Sequence, residues 1–197
     1  MSSEVKANKV SPATGTDFTF GDSGDTFTVP SGATLAVTGA TVTGLSAGKV
    51  LQVVTLQYNT IETHSAGASW QNTGLSAAIT PSATSSKVLC LFTAFIGVNE
   101  YGFANVVRGT TNLNQGTPAG SNRITCTIVT VTGSTGRPWT GAFSLLDSPS
   151  TTSATTYRLA LYGYNGNTTY LNRTYSDGDG NYTGRGSSSI TLMEIEG

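Results

Sequence analysis

The chain has 197 residues and a mass of 20.3 kDa, about the size of one domain with a short extension. Ten Lys plus Arg against eleven Asp plus Glu leave a net charge of -1, too little to hold a polyphosphate by counterion release, so nucleic acid is not an expected partner. Gly supplies 24 residues and charged residues only 11%, a β-rich composition whose strand edges have little charge to protect them and are expected to be closed off by association.

The first nine residues, Met1 to Lys9, contain no apolar h-region, so no secretory signal is read there and assembly in a cytoplasm is expected. Between Thr16 and Gly44 a short motif recurs as Gly24-Asp25-Thr26-Phe27, Gly32-Ala33-Thr34-Leu35 and Gly39-Ala40-Thr41-Val42. Each unit combines a glycine turn, a threonine and one apolar residue, which predicts a very short strand and a reversal. Such a strand buries nothing alone. Three chains wound together would place Phe27, Val29, Leu35, Val37 and Val42 on a shared axis, so residues 1–47 are expected to form an extended N-terminal β-stalk for trimerisation and attachment. The competing reading of the same composition is a plain Gly/Thr linker; the apolar residue after each Thr favours the stalk.

Residues 48–197 carry denser strand signals, at 50–58, 75–79, 87–98, 104–109, 124–132, 139–146, 156–164, 168–175 and 189–195, separated by Gly, Pro, Asn and Ser clusters. This predicts an all-β head, an antiparallel β-sandwich of jelly-roll type, with almost no helix. Ile124, Cys126 and Ile128 alternate with Thr125 and Thr127, the pattern of a strand with one wet face. The last strand puts Ile190, Leu192 and Glu194 on one face and Thr191, Met193 and Ile195 on the other. Both faces are largely apolar, which predicts a central strand or a subunit interface, with Leu192 and Met193 in the core of a homotrimer. The longest near-apolar run, 88–98, is too short to cross a bilayer as a helix, so no membrane insertion is expected. Cys90 and Cys126 sit in apolar patterns as small hydrophobes, and no disulfide is expected. Sequons at Asn167, Asn172 and Asn181 lack a secretory route, so glycosylation is not predicted.

His64 is the sole histidine, which excludes multi-His metal sites; it is read as a solvated residue of a polar loop. Glu62, Glu100, Asp147, Asp177 and Asp179 stand in no motif that pairs carboxylates across a groove, so catalytic residues are not assigned and no enzyme is expected. Asp177, Asp179 and Asn181 offer oxygen ligands at alternate positions, but the calcium-loop pattern fails at Tyr182 and Ser188, and a glycine-rich hairpin loop is preferred over a metal site. No cofactor is expected. The segment from Tyr162 to Tyr175 is the most suggestive for ligand binding. Tyr162, Tyr164 and Tyr170 supply stiff amphipathic area, and Asn165, Asn167, Asn172 and Arg173 supply donors and acceptors suited to a sugar or a protein surface. Interface packing is the competing reading of these residues.

Several phrases resemble those of tail fibre and virion structural proteins of marine tailed bacteriophages. They are the opening from Ser3 to Pro12 with Gly24 to Thr34, then Gly48-Lys49-Val50-Leu51-Gln52-Val53-Val54, then Gly74 to Leu89 with its core Thr80-Pro81-Ser82-Ala83-Thr84-Ser85-Ser86-Lys87, and the endings Leu171-Asn172-Arg173-Thr174 and Ile190-Thr191-Leu192-Met193-Glu194-Ile195. They cover roughly half of the chain, and no one phrase decides; residues 99–153 carry no resemblance. The resemblance implies a virion appendage, often a fibre or its tip, assembled in the host cytoplasm, and transfers no catalytic residues. The expectation is a homotrimeric fibre or knob whose arm docks on other virion proteins and whose head meets a host surface glycan or protein. A capsid decoration protein and a small polysaccharide hydrolase are the rival readings.

Overall fold

The structure, a computed structural model, describes residues 48–197 except 66–68, 114, 115, 119, 121 and 132–137; of the first 47 residues it describes Thr14, Thr26 and 28–34. Packing divides the chain into Met1–Leu45 and Ser46–Gly197. In the first unit Ala33 N donates to Pro30 O at 3.0 Å, closing a turn in which Gly32 sits at φ +85°, a conformation glycine takes at no steric cost. Val29 is exposed, and Phe27, Leu35, Val37 and Val42 of the expected stalk lie outside the described residues.

Over its described residues the second unit is all-β, with two antiparallel sheets and one 3-10 turn at Tyr164–Gly166. Its strands are β1 (Val50–Tyr58), β2 (Glu62–His64), β3 (Gln71–Ile79), β4 (Lys87–Val98), β5 (Tyr101–Arg108), β6 (Thr111–Leu113), β7 (Ile128–Val131), β8 (Pro138–Asp147), β9 (Thr155–Gly163), β10 (Thr169–Leu171) and β11 (Ser188–Ile195). The first sheet runs β1-β11-β4-β10-β2, with β8 on the other edge of β4; the second runs β3-β9-β5-β6, with β7 also on β5. The pairs β1 with β11, β3 with β9, β4 with β8 and β5 with β7 are nested in sequence, one inside the next.

Alternation on these strands makes the core. Across the inner face of the first sheet, Leu56, Ile190, Phe92 and Phe143 form one row and Val54, Leu192, Cys90 and Leu145 the next. Phe92 and Phe143 stack at 5.1 Å. Leu75, Ile79, Ala104, Val106, Tyr157, Leu159 and Leu161 of the second sheet belong to the same buried cluster. Leu192 is therefore buried within its own chain, whereas Met193 faces outward and is partly covered. Polar ties join the sheets at their margins. Asp147 on β8 accepts from Arg108 at 2.6 Å and from Tyr157 at 2.7 Å, both on the second sheet.

Three sequence expectations need correction. The alternation at 124–128 does not make a strand: β7 starts at Ile128, because Thr127 N is taken by Asn105 Oδ1 and Ala104 O. The segment 168–175 is a strand only over Thr169–Leu171. His64 is not a solvated loop residue. It ends β2, which pairs with β10, and its largely covered ring lies 2.8 Å from Glu62. Glu62 also accepts from Tyr58 Oη and Gly74 N. Gly74 sits at a bulge in β3 where a side chain would collide with Tyr58, so glycine there permits this cluster.

Candidate functional site

An aromatic cleft lies at one end of the second sheet. Tyr101 and Phe103 alternate to the outer face of β5, and Phe103 stands opposite Tyr162 of β9. The Tyr162 ring packs between Trp70 at 5.5 Å and Phe103 at 6.0 Å, so it backs Phe103 on this face. At Gly163 the chain leaves the sheet, and a Cβ there would strike the backbone of Asn167. The turn that follows has Asn165 at φ 52° and Gly166 at φ 84°, the left-handed pair that Asn-Gly adopts readily. Asn167 closes it, donating its backbone N at 3.1 Å and its side-chain amide at 2.7 Å to Tyr164 O.

The turn projects Tyr164 edge-on to Tyr101 at 6.5 Å. Tyr101, Phe103, Asn122, Arg123, Ile124 and Tyr164 line a cleft of about 350 Å³. Tyr101 and Tyr164 keep 46% and 47% of their surface, enough to leave a ring face free for contact. Arg123 and Asn122 are exposed at its rim, and Arg123 has no ion-pair partner among the described residues. Two aromatic faces beside an amide and a guanidinium can hold a ring that is apolar on one side and rich in hydroxyl or carboxylate on the other.

The seven residues expected to bind ligand do not form one surface. Tyr164 lines the cleft, Tyr162 packs against its Phe103, and Asn165 and Asn167 build the turn that positions Tyr164. Tyr170 and Arg173 sit elsewhere, on the first sheet and just beyond it. The Arg173 guanidinium stacks 3.7 Å over the Tyr170 ring and donates to Tyr175 O at 3.1 Å. Asn172 is fully buried at φ 65°. Its amide donates to Tyr58 O and Thr60 O at 2.8 and 2.9 Å, and its carbonyl accepts from Ser188 at 2.6 Å. It is a structural hub with no surface to offer a ligand. The cleft residues that sequence reasoning missed are Tyr101, Phe103, Asn122, Arg123 and Ile124. The Tyr101-Gly102-Phe103 alternation was the available signal, but its partners come from loops distant in sequence.

Asp177 is held by Arg185, at 3.2 Å from Nε and 3.0 Å from Nη2, and this hydrogen-bonded pairing lowers the carboxyl pKa. A guanidinium thus stands where a cation would be, with Asp179 and Asn181 exposed nearby, and no group of three or more His, Cys, Asp or Glu with metal-site geometry occurs among the described residues. Of the other carboxylates, Glu62 is committed to Tyr58 and His64, and Asp147 to Arg108 and Tyr157. Both thiols are free, and burial raises their pKa, with the Asp147 charge adding to the effect at Cys90, which is pushed up to about 12. No protein-family model and no curated protein matches the chain.

Proposed function

We propose that the chain is a structural, non-enzymatic component of a tailed-phage virion, a homotrimeric fibre or knob whose residues 1–47 attach it to other virion proteins. Its head contacts the host surface through the cleft between Tyr101 and Tyr164. The observation that carries this reading is the pair of half-exposed tyrosines beside the exposed Arg123, which has no ion-pair partner among the described residues, at one end of a hydrogen-bonded sheet. A binding site on a rigid scaffold loses little entropy when it engages a ligand. The resemblance of several phrases to those of marine phage virion proteins supplies the setting. Within the two-sheet sandwich we read a jelly roll, because four nested antiparallel pairs are what a single long hairpin leaves when it is wrapped into two facing sheets.

Adsorption tests the reading. Tyr101→Ala with Tyr164→Ala is expected to abolish competition by the purified protein for virion adsorption to host cells. Stability should change by no more than about 0.5 to 1 kcal/mol, since both rings are half-exposed. Tyr182→Ala, at a site 75% exposed and outside the cleft, should leave competition intact. Full competition by the double variant would overturn the assignment of the cleft.

A further inference from the structure

We infer that the outer face of the β1-β11-β4-β8 sheet is buried against other copies of this chain. The inference rests on the homotrimeric reading above and names the surface it uses. In a sandwich that stands alone, outward positions should be polar. Here a row crosses four hydrogen-bonded strands as Val53, Met193, Leu89 and Leu146, every member aliphatic or thioether. Val50 and Ile195 extend the apolar area on one side and Leu91 on the other. Val53 and Leu146 are each 55% exposed and Val50 52%, so nothing within the described chain covers them. Contiguous exposed apolar surface of this kind marks an association site.

Two features favour a second copy of the chain as the occupant. The first is charge. Around a symmetry axis each side chain near the axis meets its own copies, so a charge there repels itself and hydroxyls or aliphatics are preferred. Below the apolar row come Thr55, Thr191, Leu91 and Ser144, then Gln57, Ser189, Thr93 and Ala142; Lys87, at the rim beside Ile195, is the one charged side chain on these outer rows. A partner of different sequence would place no such ban on charge. The second is chain entry. The 47 residues that precede the head join it beside this face, where Gly48 backs onto Ile195 and Val50 pairs with it. Copies packed through the face would bring the points where the chain enters each head together, as a shared attachment requires.

The test joins mass to accessibility. In full-length protein carrying Cys126→Ser, a thiol is introduced by Leu146→Cys or, as reference, by Tyr182→Cys, and maleimide labelling is followed by peptide mass alongside native mass spectrometry. Cys90 is buried and does not compete. Labelling at position 146 is expected to run at least about tenfold slower than at 182, in a particle of three chain masses, because an occluded thiol reacts only when the contact opens. Adding Val53→Arg should restore fast labelling at 146, and failure to do so would overturn the face. Slow labelling at three masses supports the inference. Fast labelling at three masses overturns this face and leaves the trimer standing, whereas fast labelling at one mass overturns both. Slow labelling at one mass would mean that a segment of the same chain covers the row, and would overturn a second copy as occupant.

Discussion

Glu194 is almost wholly buried, yet among the described residues its hydrogen bonds come from neutral donors. Burial pushes its pKa up. The bonds from Gln52, Ser82 N, Ser82 Oγ and Ser86 Oγ, each 2.7 Å, outweigh that and bring it down to about 2. The donors come from two segments, Gln52 in the first strand and Ser82 and Ser86 in the turn before β4, and the acceptor Glu194 lies in the last strand. Segments far apart in sequence thus meet at one carboxylate, whose task is to fasten β11 to the β3–β4 turn. Because the folded pKa lies below the ordinary 4.5, the ionised form favours folding; this contribution is complete above about pH 4.5 and is lost as pH falls through about 2. Glu194→Gln is expected to cost about 2 to 3 kcal/mol in urea denaturation at pH 7 and to flatten the stability profile between those two pH values. An unchanged acid limb in the variant would show that another carboxylate governs it.

At the scale of elements, β11 separates two kinds of apolar residue that look alike in sequence. Leu192 lies in the row Val54, Leu192, Cys90 and Leu145 inside the sandwich, and Leu192→Ala should cost about 2 to 5 kcal/mol whatever the protein concentration. Met193 lies in the outer row, so Met193→Ala should act on assembly and show a concentration dependence that Leu192→Ala lacks; equal, concentration-independent losses in both would contradict this division. The long strands were legible because period-two alternation survives in β1, β4 and β11. Strands β2 and β6 were not, since three residues carry no period and owe their place to partners at Thr169–Leu171 and Val106–Arg108. The Ile124 to Ile128 alternation misled because side-chain Oδ1 of Asn105 replaces a ladder bond. The Tyr162 to Tyr175 segment read as one surface because its composition is uniform. Physically the Asn165-Gly166 turn carries the chain from β9 in one sheet to β10 in the other, and composition holds no record of that crossing.

For the whole molecule, the decisive quantity is where the buried cluster begins and ends. Among the described residues its members run along the sequence from Val54 to Leu192, all within Ser46–Gly197. Removing Met1–Leu45 should therefore leave the β-sheet circular dichroism of the remainder intact and its melting temperature within a few degrees of the full chain, a shift that corresponds to less than about 1 kcal/mol for a unit this size. An unfolded or aggregated fragment would show that the first unit completes the fold. The mass of the folded fragment carries a second answer. If copies meet through the Val53, Met193, Leu89 and Leu146 row, association persists without the N-terminal residues, because about 0.8 kcal/mol per buried methylene accrues at that face in each copy. A fragment that is folded but monomeric would instead assign assembly to the N-terminal residues. The row would then stand open on the free head and should bind a hydrophobic dye that the full-length particle excludes.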